Sequence, residues 1–326
     1  MKKVSLLLLA LLSFAVTGMS QTDEFKPGGK PFMKIFSNYH STFSDGESAS
    51  AFELTRLYLG YEYNFSENFS AKANLDIGDP GVGSLEMTAY VKNAYLRYKA
   101  DDFTVNFGLI STTAFKTQES AWGYRYIAKS FQDAYKFNSS ADLGVSVAYK
   151  FCDFFSADVI VTNGEGYKKL QSDSTFRTGF GLTANPVEKL TARIYYDFIT
   201  DKNTQSSLAT FIGYAGDNFS LGAEYNQQFN VKYVEDRELS GTSFYGTMKA
   251  SSKVKVFARY DNLFSNTVSG GSADWNLSND GQLYIAGLEY APVKGIKLSP
   301  NFQGWSPADD SEEFSASIFL NCEIKF

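Results

Sequence analysis

The 326-residue sequence contains little cysteine, little proline and a single histidine. Two cysteines, Cys152 and Cys322, are too few for a disulfide framework, and we expect both thiols to be free. Seven prolines beside 26 glycines indicate turns and strands rather than a disordered linker. The formal net charge of −6 excludes the basic surface that phosphate backbones require, so no nucleic acid is expected as a partner.

Motifs for catalysis and for cofactor binding are also missing. The sequence has no GxxxxGK[ST] phosphate loop, no dinucleotide fingerprint and no Cys/His metal spacing. His40 is followed by Ser41, but adjacent residues of a strand point to opposite faces and do not form a catalytic pair. We therefore predict no enzymatic activity, no cofactor and no metal site, and we interpret His40 as a residue of a rim or pore wall.

The N-terminus has the layout of a secretory signal peptide. Two lysines precede the apolar run Val4–Val16, and small residues follow at Gly18 and Ser20. We predict a signal peptide over residues 1–20, cleaved near Ser20, and a short N-terminal segment over residues 21–31. No later stretch has the roughly 18 consecutive apolar residues of a membrane helix, so a membrane protein of this sequence has to be a closed barrel.

Apolar and polar residues alternate along the rest of the chain, which is typical of half-buried strands. In the last thirteen residues, FSASIFLNCEIKF, every second residue from Phe314 to Phe326 is apolar or Cys. The same period predicts sixteen strands, at residues 32–43, 51–65, 69–78, 88–99, 103–110, 141–151, 154–162, 175–184, 190–199, 206–215, 219–228, 240–250, 253–263, 281–291, 295–304 and 312–326.

The links between these strands favour a barrel over a sandwich. Short links such as SEN, GDN and PVKG alternate with long ones such as STFSDGESA and NGEGYKKLQSDST. Short periplasmic turns, long extracellular loops and an even strand count are typical of outer-membrane barrels. We predict an all-β fold: a transmembrane antiparallel β-barrel of 16 strands over residues 32–326, in the outer membrane of a Gram-negative bacterium. Phe326 would then close the last strand within a periplasmic aromatic girdle.

The longest link, residues 111–140, is predicted to narrow the lumen. A 16-stranded barrel leaves an aqueous channel unless something plugs it, and the residues before the first strand are too few for a plug domain. The link is rich in aromatic residues, so we expect it to be ordered. A surface lid docked against a neighbouring protomer is the alternative. The predicted constriction residues are Lys116, Glu119, Arg125, Lys129, Asp133 and Lys136.

Charged residues of both signs lie on the polar phase of the predicted strands. A Lys or Arg on the lipid face would cost roughly 2–4 kcal/mol at the midplane, so we place these residues inside the barrel. A wall with both signs suits weakly selective diffusion of small polar solutes. The predicted pore-wall residues are Arg56, Glu62, Lys72, Arg97, Arg177, Arg193, Asp197, Glu224, Arg259 and Asp261.

Two stretches resemble the phosphate-selective porin O/P-like family. The strand AYLRYK at Ala94–Lys99 leads by a short turn into the next strand, and a strand beginning Asp142-Leu143-Gly144-Val145 follows the long link. The family motif Gly-Gln-Phe-Lys-x-Pro-Phe corresponds to Gly108–Phe115, which lacks its Gln, Lys and Pro. The resemblance implies a trimeric sixteen-stranded porin. Because this chain has no run of basic residues unbalanced by acids, we carry over no anion-binding residue.

The sequence therefore predicts a porin that allows passive diffusion of small hydrophilic solutes or ions. An adhesion or scaffolding barrel, acting through its extracellular loops with little conductance, remains the alternative. Uptake of hydrophobic substrates is weaker, because it requires an apolar lumen and an N-terminal hatch. The expected partners are outer-membrane lipid, two further copies in a homotrimer, and the barrel-assembly machinery, since the strand ending at Phe326 resembles its recognition signal.

Overall fold

The computed structural model describes residues 25–79 and 87–326. Its sixteen strands pair in chain order, each antiparallel to the next, and β1 pairs with β16 to close a barrel. The predicted fold class is confirmed. The strands are β1 (Gly28–Ser44), β2 (Glu47–Asn64), β3 (Phe69–Gly78), β4 (Thr88–Ala100), β5 (Phe103–Ser111), β6 (Ala141–Lys150), β7 (Phe155–Thr162), β8 (Arg177–Ala184), β9 (Leu190–Thr200), β10 (Thr204–Ala215), β11 (Phe219–Phe229), β12 (Leu239–Lys249), β13 (Val254–Ser265), β14 (Gly281–Tyr290), β15 (Ile296–Pro307) and β16 (Ser315–Lys325).

Side chains alternate between the two faces of the barrel wall, as the period of two predicts. In β9, Arg193, Tyr195 and Asp197 are buried inside, whereas Ile194 and Tyr196 are exposed on the outer face. The antiparallel register continues this division from each strand to its neighbour. Because the sheet closes on itself, each of the sixteen described strands has a neighbouring strand on both sides. The result is a polar interior and an apolar outer surface.

The two ends of the barrel differ in their links. The turn end carries seven short links, at residues 65–68, 101–102, 151–154, 185–189, 216–218, 250–253 and 291–295, together with the start of β1 and the C-terminus. The loop end carries the links between β1 and β2, β3 and β4, and so on to β15 and β16. The longest of these runs from β5 to β6, as predicted. The two ends of the barrel therefore differ in the length of their links.

One expected long loop is replaced by a tight turn. We expected STFSDGESA to form a loop, but β1 and β2 extend to a two-residue turn at Asp45 and Gly46, with φ of 52° and 72°. An Asp-Gly pair favours a hairpin turn in which both central residues have positive φ. The prediction of a long first loop was wrong because the Asp-Gly pair inside the polar stretch forms a tight turn. The first strand also begins earlier than predicted, since Gly28 already pairs with Asn64.

Aromatic rings line the outer face at the turn end. Ring centroids lie 4.9 Å apart in the pair Phe69–Tyr98 and 5.2 Å apart in the pair Tyr214–Phe219. Phe326 follows β16 at the same end and is 71% exposed. Such belts are typical of the boundaries of an apolar band on a barrel.

Two short helices lie in the link between β5 and β6: α1 (Lys116–Trp122) and α2 (Phe131–Ala134). Single 3₁₀ turns occur at Val231–Tyr233 and Leu277–Asn279. In the described ranges, every helix is too short or too polar to cross a membrane. The predicted signal peptide, its cleavage point and residues 21–24 lie outside the described residues. The two cysteines are free, as predicted.

Candidate functional site

The inner loop, residues 112–140 between β5 and β6, lies inside the barrel. The Arg193 guanidinium of β9 donates a hydrogen bond to the carbonyl oxygen of Thr113 at 2.9 Å. The Asn321 amide of β16 donates to the carbonyl oxygen of Tyr126 at 3.3 Å. In the closed barrel, β9 and β16 are seven strands apart and therefore face each other across the lumen. A segment that contacts both strands crosses the lumen. The inner loop is therefore not a lid on the outer surface.

Aromatic side chains fix the inner loop to one side of the barrel, which we call the closed half (β9–β14). The Trp122 ring is 1% exposed and its centroid lies 6.1 Å from that of Phe257. Tyr124 packs on the same Phe257 ring at 4.4 Å. Gly241 of β12 leaves room for Phe131, since a Cβ at this position would collide with that ring. The loop and the wall thus form a packed core inside the barrel.

A buried ion pair adds polar anchors to this core. Arg259 and Asp261, on β13, are 3% and 0% exposed and bond through two nitrogens and both carboxylate oxygens, at 2.8 and 2.6 Å. Arg259 also donates to the carbonyl oxygen of Lys129 at 2.6 Å, and the Tyr135 hydroxyl donates to Asp261 at 3.3 Å. The charges of β13 therefore hold the inner loop in place.

The predicted pore-wall residues divide between the two sides of the lumen. All ten lie on the inward face of their strands, but burial removes five of them from the water of the lumen. The buried five are Arg193, Asp197, Glu224, Arg259 and Asp261. Alternation along a strand predicts which side chains point into the barrel. It does not predict which of these side chains the inner loop covers.

On the opposite side, which we call the open half (β1–β5), a cavity of about 390 Å³ remains between the wall and the inner loop. Polar groups such as Asn74, Asn93 and Ser120 line it. Its charged lining residues are Lys34, Lys72, Lys92, Lys116, Arg125, Glu119 and Glu323. Five cations thus line this cavity together with two carboxylates. By contrast, four of the five buried wall charges, Arg193, Asp197, Arg259 and Asp261, lie in ion pairs, and the fifth, Glu224, accepts a hydrogen bond from the Asn226 amide.

Lys116 is a cation of the inner loop that lines the cavity and is influenced by two other cations. Within the described residues, no carboxylate oxygen lies within 4 Å of its Nζ atom. Lys116 reaches lumen water but is surrounded by protein, and this desolvation lowers its pKa from 10.5. The charges of Arg97 and Lys72 lower the pKa further. The hydrogen bonds that Arg97 makes among the described residues have neutral partners, the Asn106 amide oxygen at 2.8 Å and the Tyr95 hydroxyl at 3.2 Å.

Two other cations of the cavity, Lys72 and Arg125, have carboxylates within 4 Å. The Lys72 Nζ atom lies 2.9 Å from Glu62, on the part of the wall near the turn end. The Arg125 guanidinium lies 3.4 Å from Asp133 and 3.9 Å from Glu119. These groups are only partly buried, so lumen water weakens the attraction between them.

A β-bulge places Lys92 inside the barrel. The register between β3 and β4 shifts at Asn74 and Leu75, so both Lys92 and the next residue, Asn93, contribute to the inner face. The Lys92 Nζ atom stands 5.2 Å from the Tyr58 ring centroid. Lys92 was missed in the sequence because strict alternation assigns one of two neighbours to the outside, and a bulge breaks that rule.

Asp76 joins the loop end of the open half to a second loop. Its side chain is fully buried, accepts a hydrogen bond from Arg56 at 3.1 Å and lies 3.7 Å from Lys92. The Tyr167 hydroxyl, from the link between β7 and β8, donates to the other carboxylate oxygen at 3.1 Å. Arg56, one of the predicted pore-wall residues, is therefore compensated by a buried carboxylate.

The six predicted constriction residues all belong to the inner loop, and three of them line the open cavity: Lys116, Glu119 and Arg125. Asp133 lies outside that lining and pairs with Arg125. Lys129 and Lys136 are exposed but lie outside that lining. His40 contacts the Asn38 side chain at 3.0 Å on β1, away from the cavity.

Solved structures similar to this chain are outer-membrane barrels. An anion-selective porin from Comamonas acidovorans aligns with a TM-score of 0.68 and 10% identity, over 92% of this chain and 100% of that one. OmpF of Salmonella typhi, in a complex with daunomycin, gives 0.67 and 13%, over 91% and 97%. The outer-membrane channel DcaP of Acinetobacter baumannii gives 0.66 and 14%, over 92% and 97%. No family model and no curated protein matches the chain. At these identities the likeness establishes the fold.

Proposed function

We propose that this protein is an outer-membrane porin through which small hydrophilic solutes and ions diffuse passively. The observation that carries the proposal is the water-accessible cavity between the inner loop and β1–β5, lined by charged and amide side chains. The apolar outer face and its aromatic belt suit a bilayer, and the turn end then faces the periplasm. The solved barrels that share this fold include outer-membrane channels and porins, which supports the same assignment.

We assign an anion preference to the channel. The sequence carries acids and bases in similar numbers, but the fold distributes them unequally. Four of the five buried wall charges, Arg193, Asp197, Arg259 and Asp261, are compensated in ion pairs. Lys34, Lys116 and Arg97 of the open half instead face the lumen without a carboxylate within 4 Å in the described structure. An excess of one sign along a narrow passage raises the local concentration of ions of the other sign.

The inner loop is the constriction in this proposal, with Lys116, Glu119 and Arg125 as its lining residues. The proposal also includes four points outside the constriction. The protein is exported through the signal peptide over residues 1–20, and the barrel-assembly machinery recognises the strand ending at Phe326. The folded barrel contacts membrane lipid and assembles into homotrimers. These steps follow from the sequence pattern, the outer-membrane assignment and the resemblance to porins.

Single-channel recording in a planar bilayer under a salt gradient tests the proposal. The refolded protein is expected to give stable current steps with a reversal potential that favours anions. Folded protein that inserts without current steps would instead support the adhesion or scaffolding barrel.

The Lys116→Glu variant tests the origin of the anion preference. Its reversal potential is expected to move toward cation preference, because it reverses a charge on the cavity wall. The Lys232→Glu variant changes the same charge at an exposed loop-end position and is expected to leave the potential unchanged. Equal shifts in the two variants would show that the long-range charge of the protein, not the cavity, sets selectivity.

A further inference from the structure

One buried charge of the closed half has no ion-pair partner. Glu224 of β11 is 4% exposed, and within the described ranges no lysine or arginine nitrogen lies within 4 Å of its carboxylate. Arg259, on the same inner wall, is already bonded to Asp261 and to the carbonyl oxygen of Lys129. A carboxylate that is removed from water without a counter-ion is strongly destabilising. Glu224 therefore requires either a proton or a cation that the described side chains do not supply.

Three oxygen atoms without hydrogen-bond partners meet at this carboxylate. The Asn226 amide nitrogen donates to the Oε2 atom of Glu224 at 3.1 Å, whereas Glu224 Oε1 and Asn226 Oδ1 have no partner among the described residues. Ser243 of β12 lies directly opposite Glu224 in the register, and its Oγ atom has no partner in this part of the chain either. Side chains of directly opposite residues are close neighbours on one face of a sheet. Asn226 and Ser243 are both 0% exposed, so a carboxylate, a carbonyl and a hydroxyl oxygen are buried together.

The inner loop covers this group of oxygens. Helix α1 packs against β10 and β11. The carbonyl oxygen of Gln118, in α1, accepts a hydrogen bond at 3.2 Å from the hydroxyl of Tyr245, which lies two residues after Ser243 on the inner face of β12. The Gln118 side chain is 0% exposed, and its amide has no hydrogen-bond partner in the described structure. The helix therefore separates the oxygen atoms from the water of the lumen.

These oxygen atoms suit a cation better than a proton. A proton on Glu224 would neutralise the carboxylate but could be donated to only one neighbouring oxygen, and the other would still lack a partner. A cation neutralises the carboxylate and is also coordinated by the carbonyl and hydroxyl oxygens, which are ligands that hard cations prefer. A divalent ion would exceed the single negative charge and would leave a buried net positive charge. The charge of the site therefore matches a monovalent cation.

We infer that Glu224, Asn226 and Ser243 bind a monovalent alkali cation between the barrel wall and the inner loop. The cation compensates the one charge of the five buried wall residues that lacks an ion pair, and it thereby stabilises the packing of α1 on β11. None of the three residues lines the open cavity, so the cation is a structural ion and not one of the permeating ions. The inference does not depend on whether the barrel conducts.

Urea unfolding of the full-length, detergent-folded protein in sodium chloride and in choline chloride, at equal ionic strength, tests this inference. Choline is too large for a buried oxygen site, so only sodium stabilises the barrel through it. The ratio of folded to unfolded protein is expected to be about tenfold higher in sodium chloride when sodium is present at about ten times its Kd. Equal stability of the wild-type protein in the two salts, across a sodium series, would overturn the inference and would assign a proton or water to Glu224.

The Glu224→Gln variant removes the charge and keeps the shape of the side chain. Its stability is expected to be the same in sodium chloride and in choline chloride. The matched control is Glu289→Gln, which changes a carboxylate that is 3% exposed but already has the Lys297 ammonium at 3.1 Å. This control is expected to keep the full sodium effect. A sodium effect that persists in Glu224→Gln, or that both variants lose equally, would show that the cation does not bind at Glu224.

The Ser243→Ala variant tests the hydroxyl ligand separately. In choline chloride this variant is expected to be as stable as wild type, because the hydroxyl has no partner among the described side chains. In the sodium series its apparent Kd is expected to rise several-fold, because one oxygen ligand is lost. An unchanged Kd would contradict a site between β11 and β12. Heat-modifiable gel mobility shows for every variant that the barrel is folded before unfolding is measured.

Discussion

The closed half and the open half are built from the same alternating strands, yet they have different interiors. In the closed half, Trp122 and Phe257 pack into a dry core and Arg259 is neutralised by Asp261. In the open half, Lys116 faces water beside other cations. Charged residues on the inward face therefore stabilise the packing of the inner loop in the closed half. In the open half they line the cavity. What decides between the two is the inner loop, because it excludes water from the side on which it packs.

The largest difference between the halves is expected from truncating an aromatic ring. The Trp122→Ala variant removes a fully buried ring and is expected to lower the free energy of unfolding by about 3–5 kcal/mol. The inner loop then loses its main anchor to the wall, so channel conductance is expected to rise and to become noisy. Urea unfolding of the folded barrel and single-channel recording measure the two effects.

The Phe32→Ala variant is the control in the open half. Phe32 lines the cavity on β1 and is only partly buried, so its loss is expected to cost clearly less than the loss of Trp122. Conductance steps are expected to stay quiet, because the inner loop keeps its contacts. If Trp122→Ala channels were as quiet and as narrow as those of wild type, the aromatic core would not be what positions the loop.

A second comparison concerns the ion pairs. The Arg259→Met variant leaves Asp261 buried without its cation and is expected to cost about 3–5 kcal/mol of the free energy of unfolding. The Lys72→Met variant breaks a partly exposed pair with Glu62, and the expected cost is about 0–1 kcal/mol. The change in ion selectivity is expected to be larger in Lys72→Met than in Arg259→Met, since Lys72 lines the cavity and Arg259 does not. Urea unfolding and reversal potentials measure both variants.

The double variant Arg259→Met, Asp261→Leu serves as the control for the buried pair. It removes both charges, so much of the stability lost in Arg259→Met is expected to return. A double variant no more stable than the single one would mean that Arg259 acts mainly through its bond to the Lys129 carbonyl oxygen.

The sequence was sufficient for the number and order of the strands, because the period of two continues through most of each strand. It was not sufficient for the lumen. The position of Arg259 on the polar phase indicates that it faces inward, but its burial depends on a loop more than a hundred residues away. Lys92 depends on a bulge, and the turn at Asp45 and Gly46 depends on local φ values that hydrophobic alternation does not encode.

The smallest expected effect is a pH dependence confined to the open half. Because desolvation and neighbouring cations lower the pKa of Lys116, this side chain loses its proton, and its charge, at a pH below 10.5. The anion preference is therefore expected to decline on the alkaline side before ordinary lysines titrate, and this decline is expected to be smaller in the Lys116→Met variant. Reversal potentials recorded across the alkaline range measure the decline. The paired charges of the closed half make no contribution to it, because they have no contact with the permeating ions. An identical decline in wild type and in Lys116→Met would assign the titration to another lysine of the cavity, and would leave Lys116 with a steric role at the loop surface.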